Sequence, residues 1–421
     1  MKKILLRLNL LITMLAVSAG FIILGCAFFG RLPKNVTVNG VEVGGKTRTE
    51  AAQLIRGDII SGLKEKRLTV TGGKNDYTFA YPEIYFKDNV QKLLKGVTKS
   101  GEYFAEVSFY LNGIDEITQS ICKNESTSLV EPFAIFNTEG EAFTYVEGND
   151  GVYADEKKLA EDIRASLSGG FDEVSLSFKK VARKKSLLTV KYDTRIISSF
   201  TTFFDGANTD RRHNIALAAQ KINGTVIENG QSFSFNGVVG PRTGERGFRT
   251  AKIIENGKFV QGVGGGVCQV STTLFNAALL AGCTMTEFHA HSLAVGYVPP
   301  SFDAMVSGDY YDLKFKNNTG HKLYIRTTTK QNSVSFFIYG RGDGAQYDFS
   351  SVVTGNIAAP VEKTSDSSLI ADGKDGVISE GYLTVTRNGV KTTKLFRHDK
   401  YAPVKRVELD APEEEPPEQA Q

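Results

Sequence analysis

The chain reads as an α+β protein, and three observations predict that class. Capped helical stretches alternate with short strand runs through the first half. A glycine run, Gly262 to Gly266, hands over to a helix-periodic apolar stretch at Cys268. After that helix come β-branched and aromatic runs closing in an Asn-Gly hairpin. With 421 residues the chain exceeds one ordinary domain of ~100–200 residues, so two or three units are expected. Hydrophobic residues at 41% and charged ones at 23% give it enough to bury a core. Its 50 basic and 47 acidic residues are interspersed without a basic stripe, which argues against a nucleic acid partner.

The elements follow in order. Lys2, Lys3 and Arg7 precede an uncharged stretch from Leu8 to Phe29, long enough to cross ~30 Å of hydrocarbon. Residues 1–31 are therefore expected to be a cytoplasmic start and single membrane anchor, with the bulk of the chain extracytoplasmic by the positive-inside rule. A cleaved signal peptide, from Ala16, Ser18, Ala19 and Gly20, and lipid processing at Ile23-Leu-Gly-Cys26 stay open as alternatives.

Residues 32–194 read as an α+β region. Val36 to Gly45 is a short hairpin, and Thr47 caps the helix that follows. Arg67–Thr71 and Tyr77–Tyr81 pair as strands, and helices run over 89–97 and 114–121. The Gly-Val-spacer-helix order of residues 40–55 recurs at Asp150 to Ile163, a short echo consistent with an internal duplication. Strands are expected at Glu173–Phe178 and Leu188–Tyr192.

Residues 195–345 open with a helix from about Asp210, its candidate N-cap, to Ile222, stopped by Asn223-Gly224. Strand runs are expected at 231–236, 248–254, 293–298, 311–315, 323–327 and 334–339. Between them, Val270, Leu274, Phe275, Ala278 and Leu279 place one apolar face on a helix from about Cys268 to Ala281, which Gly282 ends. Residues 346–406 are expected to be β-rich, with a hairpin turning at Asn388-Gly389. Residues 407–421, acidic and proline-bearing, are expected to be a disordered tail.

At this point the residues carry a resemblance. Asn214-Ile-Ala-Leu-Ala-Ala, Gly230-Gln-Ser-Phe-Ser-Phe-Asn, Gly264-Gly-Gly-Val-Cys-Gln-Val-Ser-Thr-Thr-Leu-Phe-Asn-Ala, His291-Ser, Tyr297-Val-Pro-Pro and Asp303-Ala together resemble the VanW family. That family is named for an accessory gene of glycopeptide-resistance clusters. The region before it, through Gly40-Val-Glu-Val-Gly-Gly and Gly151-Val-Tyr-Ala-Asp, resembles the YoaR-like peptidoglycan-binding domain that precedes VanW domains in membrane-anchored bacterial proteins. Residues 360–406 resemble a G5-type extracellular module. The resemblance implies a cell-envelope protein that binds peptidoglycan or its precursors, linked to the glycopeptide response. It brings no established reaction.

Chemistry has to be read from the residues. Cys268 sits in the first turn of its helix, where the macrodipole and unpaired N–H groups favour thiolate. His291 and Asp303 follow it, giving the order Cys, His, Asp of several thiol acyl-transfer enzymes. These three are the candidate catalytic residues of the alternative function, a peptidase or transpeptidase acting on peptidoglycan stem peptides. The bland alternative is a buried thiol packed behind glycines. Gly264, Gly265, Gly266, Gln269, Ser271, Arg212 and His289 are candidate ligand-binding residues, the helix start being able to take a carboxylate of a stem peptide. His289, His291, Cys268 and Asp303 could together suit zinc, but no recognised ligand spacing is present, and neither metal nor cofactor is expected. Outside the expected anchor, which holds Cys26, the cysteines Cys122, Cys268 and Cys283 are an odd set, and the last two lie ~22 Å apart along the helix, so at least one thiol is expected to be free.

Overall fold

A computed structural model describes residues 30–255, 258–308 and 310–410. The expected membrane anchor, and residues 411–421 of the expected tail, lie outside the described residues. Among the described residues no helix is long and apolar enough to cross a membrane. The class is α+β, in two compact units: residues 30–130 with 149–183, and residues 131–148 with 184–410.

The first unit is built on two small apolar cores. Thr47 starts the helix Arg48–Lys64 with a reciprocal capping box, its hydroxyl accepting from the Glu50 N–H while the Glu50 carboxylate accepts from the Thr47 N–H. Ala51, Ala52 and Ile55 on that helix pack against Val36, Val38, Val90 and Leu94. Strand Val36–Val38 pairs antiparallel with Val41–Glu42 and parallel with Gly101–Tyr103. The other core joins Leu68, Val70, Ile84, Ile121, Leu159 and Ile163. Its helix Glu156–Gly169 is capped by Asp155, so the sequence echo has a local counterpart: each copy is a strand followed by a capped helix.

The second unit holds a four-stranded antiparallel sheet in the order Arg195–Phe203, Ser333–Gly340, Leu323–Thr329, Val226–Ile227. Helices Thr209–Ile222 and Val267–Leu280 contact that sheet, and Phe233, Phe275, Phe315 and Phe336 share their core. A second antiparallel sheet, Gln346–Ile357, Gly376–Arg387 and Val390–Tyr401, turns at Asn388 and Gly389, both at positive φ as a tight primed turn requires. Phe349 and Phe396 of this sheet meet Phe302, Phe288 and Phe275 at ring separations of 4.5–6.3 Å, so the β-rich end shares a core with the helix that carries Cys268.

Several expectations are corrected. Leu188–Tyr192 is not a strand but part of the helix Leu187–Asp193, because the Ser186 hydroxyl accepts from the Thr189 N–H and starts a helical turn. The cap of the next helix is Asn208 rather than Asp210, and Asp210 instead pairs with Arg249 at 3.1 Å. Residues 293–298 form no strand; Leu293 and Val298 are buried in an irregular segment with Gly296 and two prolines at its end. The strands Arg195–Phe203 and Gln346–Ile357 carry mixed patterns that local reading passes over. Strand Arg406–Leu409 takes in the first residues of the expected tail by pairing in parallel with Val361–Thr364.

Candidate active site

The Val267–Leu280 helix is buried on nearly every side. Of its 14 residues only Cys268 and Leu280 escape full burial, so the expectation of one packed face is too modest. Gly266 at φ +105° caps the helix, and Gly282 at φ +84° ends it. Cys268 is thus in the first turn and partly exposed. Cys283, by contrast, is buried, and burial pushes its thiol up to about 12.

The buried polar residues of this helix explain how the rest of the site is placed. Ser271 Oγ donates to the Ala304 carbonyl at 2.6 Å, and Thr272 Oγ1 accepts from the Ala304 N–H at 3.0 Å. Asn276 Nδ2 donates to the Phe302 carbonyl at 2.8 Å. One helix face therefore fastens the segment Phe302–Ala304 and fixes where Asp303 stands.

Asp303 in turn holds His291. Its Oδ2 accepts from both the His291 backbone N–H and Nδ1, each at 2.7 Å. Its Oδ1 accepts from the Tyr401 hydroxyl at 2.6 Å, and its carbonyl accepts from Arg397 Nη1 at 2.7 Å. Arg397 is itself clamped by Asp399 through two hydrogen bonds at 2.5 and 2.8 Å. All of Asp303, His291 and Arg397 are buried.

With Nδ1 committed to Asp303, His291 bears on the Cys268 thiol through hydrogen-bonding and charge interactions that shift both groups, and Cys268 Sγ itself donates to the Val306 carbonyl at 3.3 Å. Burial pulls the imidazolium down, but hydrogen bonds and charge from Asp303 and Cys268 outweigh it and lift His291 to about 9. Burial likewise pushes the Cys268 thiol up, yet the His291 hydrogen bond and charge, a backbone hydrogen bond with Val306 and the Arg242 charge bring it below its ordinary value. Asp303 is also below the usual carboxylate range: burial opposes this, and His291, Arg397 and Tyr401 overcome it. These opposed shifts favour proton transfer from the Cys268 thiol to an imidazole oriented by a carboxylate. Among the described residues the Cys268 N–H has no hydrogen-bond partner, whereas those of Val267 and Gln269 go to the carbonyls of Gly264 and Gly266. It is available to a developing oxyanion.

The other expected site residues fare differently. Gly265 and Gly266 are buried and serve packing: a Cβ on Gly265 would lie 2.7 Å from the Ala251 carbonyl carbon, and one on Gly266 2.9 Å from Ile215. Gly264, at φ +89°, lets the Arg242 stem lie against the loop. Gln269 uses its whole amide internally, accepting from Arg211 Nη2 at 2.8 Å and donating to Thr202 Oγ1 and the Phe203 carbonyl. Ser271 fastens the Asp303 segment and also bonds the Cys268 carbonyl at 3.0 Å, so its hydroxyl is used internally. Arg212 faces away, donating to the Gly206 carbonyl and lining, with Arg249 and Lys330, an open groove of about 510 Å³ that includes no triad residue. His289 turns from Cys268 to Glu287, 3.3 Å from its Oε1, and packs on Tyr311, so it cannot join His291 on one ion as the zinc arrangement requires.

Residues outside that set take their place; Arg211 and Arg242 are legible in the sequence as candidate anion contacts, with a solvent-facing charge the favoured reading there. Arg211, Arg242 and Tyr297 all bear electrostatically on Cys268. Arg211 was findable: it shares the buried helical stripe of Ile215, Ala218 and Ile222, whereas Arg212 does not. Tyr401 and Arg397 carried no local signal.

Comparison with known families places this geometry. The family model described as VanW like protein matches residues 210–339, which include the nucleophile helix, His291 and Asp303. The chain carries a VanW-like domain. Two curated relatives agree. Uncharacterized protein YoaR of Bacillus subtilis (strain 168) is 40% identical over 154 residues, 37% of this chain and 51% of that protein. Vancomycin B-type resistance protein VanW of Enterococcus faecalis (strain ATCC 700802 / V583) is 30% identical over 126 residues, 29% of this chain and 46% of that protein. The chain thus spans about half the length of the curated relatives it matches. No solved structure matches. The VanW-like domain does not hold its site alone: Tyr401 and Arg397, which fix Asp303, lie beyond the matched residues.

Proposed function

We propose that the VanW-like domain is a cysteine-dependent acyl-transfer enzyme of the cell envelope, of peptidase or transpeptidase type, acting on peptidoglycan stem peptides. The observation that carries it is His291 held between Asp303 and a partly exposed Cys268 at a helix start. In this reading the Cys268 thiolate attacks an acyl carbonyl carbon, and the Cys268 N–H takes the developing oxyanion. The C–N bond breaks as the His291 imidazolium gives its Nε2 proton to the departing amine, leaving a thioester. Water, or a second amine, then attacks that thioester while neutral His291 accepts its proton, and sulfur leaves as thiolate. Asp303 keeps the imidazole in register throughout.

The envelope setting and the peptide class are drawn from the relative named for vancomycin resistance and from the peptidoglycan-binding resemblance of residues 32–194. Here the N-terminal segment is a single membrane anchor, the bulk of the chain is extracytoplasmic, and residues 32–194 hold the polymer. The test is acid quenching of the full chain with peptidoglycan stem peptides, followed by intact mass. A thioester on Cys268, lost in Cys268→Ala, is expected. A native Cys268 alkylated by iodoacetamide at neutral pH no faster than free cysteine overturns the enzyme. Failure of the full chain to sediment with purified sacculi overturns the binding role of 32–194.

A further inference from the structure

The two arginines beside the thiol are the feature that the triad leaves unexplained. Arg211 and Arg242 both lie against the glycine loop. A Cβ on Gly266 would lie 3.1 Å from Arg211 Cγ, and a Cβ on Gly264 would lie 3.0 Å from Arg242 Cβ. Two of the loop's glycines therefore make room for two arginine stems directly before the nucleophile. Both guanidiniums are held by neutral amides: Arg211 Nη2 donates to Gln269 Oε1 at 2.8 Å, and Arg242 Nη2 donates to Asn236 Oδ1 at 2.5 Å. Arg242 also lies over the Phe235 ring, 5.6 Å from its centroid. Among the described residues neither arginine is within ion-pair distance of a carboxylate, whereas those at 56, 164, 183, 249, 341, 387 and 397 are. Burial makes both guanidiniums harder to keep charged; Tyr297 and Cys268 offset this at Arg211, and Cys268 with the more distant Asp312 carboxylate, outside ion-pair contact, offsets it at Arg242.

A guanidinium half out of water, oriented by an amide and lacking a carboxylate, is a preorganised receptor for one. A thiolate already has His291 as its counter-ion, so two further cations exceed what it needs. We propose that Arg211 and Arg242 form an anion subsite for a free carboxylate on the substrate, next to the scissile acyl group. On the acyl-transfer reading, on which this rests, the substrates are peptides whose departing residue is C-terminal and carries its own carboxylate. The enzyme then acts at chain ends, and an internal peptide bond, which has no charge at that point, is a poor substrate.

Two small alkylating agents of the same shape test this without a known substrate. Iodoacetate and iodoacetamide both form an S–C bond to Cys268 with loss of iodide, and they differ only in carboxylate against amide. In the full chain the iodoacetate-to-iodoacetamide rate ratio should exceed that of free cysteine in the same buffer on the order of tenfold, the low end of electrostatic focusing in a cleft. Arg242→Gln and Arg211→Gln should bring the ratio down severalfold, and Arg242→Lys should keep most of it. His291, present in all of these variants, cannot account for such a drop. A ratio equal to that of free cysteine, or one unchanged in both Gln variants while circular dichroism shows them folded, overturns the subsite. Iodoacetamide alone reports the thiolate, so its failure marks failure of the enzyme reading and leaves the ratio to judge the anion subsite separately.

Discussion

Replacing His291 by Ala removes the one imidazole that bears on Cys268 and leaves the sulfur in the same partly buried place. Burial alone then acts on the thiol, and burial raises it. An ordinary thiol with a pKa of ~8.5 is about 3% ionised at pH 7, so loss of the ion pair removes up to about thirtyfold of the reactive form. A lower-pKa thiolate is also the weaker nucleophile, with a Brønsted coefficient of roughly 0.4–0.5, which offsets part of that loss. The net expectation is a drop of about threefold in the iodoacetamide rate at pH 7, larger if burial lifts the variant's thiol above the ordinary value, and narrowing as the pH approaches 9. The assay is pseudo-first-order alkylation followed by intact mass across pH 5 to 10. The native protein should hold a plateau that changes near pH 9, where His291 loses its proton, and the variant should show a single rise at or above the ordinary thiol value. Equal rates in the two proteins at pH 7 would refute the ion pair.

The pair also governs how stability depends on pH. His291 alone, raised from 6.5 to about 9, contributes stability that is full below 6.5 and lost as pH rises through about 9. In the native protein this is hidden, because between roughly pH 7 and 8.5 the folded state keeps on nitrogen the proton that the unfolded state keeps on sulfur, so proton counts match. Cys268→Ala removes the sulfur's share of the lift and leaves that of Asp303: urea midpoints should fall with rising pH above about 6.5 in the variant, over a window that closes below about 9, and stay nearly level in the native protein. A variant as level as the native protein contradicts this. Tyr401→Phe leaves the buried Ser301 N–H and one Asp303 oxygen short of a partner and should cost about 1–3 kcal/mol by urea unfolding, with no effect arguing that water replaces both bonds. Gly265→Ala drives a methyl into the Ala251 backbone and should also cost about 1–3 kcal/mol, a native midpoint being the outcome that denies the close packing.

Local sequence rules worked where a local cause was sufficient. Thr47 with Glu50, Asn388 with Gly389 and the apolar spacing after Cys268 each act within a few residues, and each formed the expected element. The rules failed where a neighbour far along the chain decides. Leu293–Val298 has the alternation of a strand but finds no ladder partner and stays irregular, with Leu293 and Val298 buried. Arg195–Phe203 becomes a strand because Ser333–Gly340 lies beside it across a long span of sequence. Gln269 and Ser271 looked like ligand contacts because polar residues on a buried helix need partners; the fold supplies those partners from Arg211, Thr202 and Ala304.

The order Cys268, His291, Asp303 and the thiol at a helix start are properties of the sequence itself, since residue type and helix direction need no tertiary information. Which histidine meets the sulfur was not so determined: His289 and His291 are two residues apart, and only the Asp303 segment fastened by Ser271, Thr272 and Asn276 selects one and turns the other toward Glu287. Nor could the sequence reveal that Tyr401 and Arg397, about a hundred residues on, close over that carboxylate. A charged hydrogen-bond network in a desolvated site depends on distances of a few tenths of an ångström. Only the packed helices and sheets around it set distances that finely.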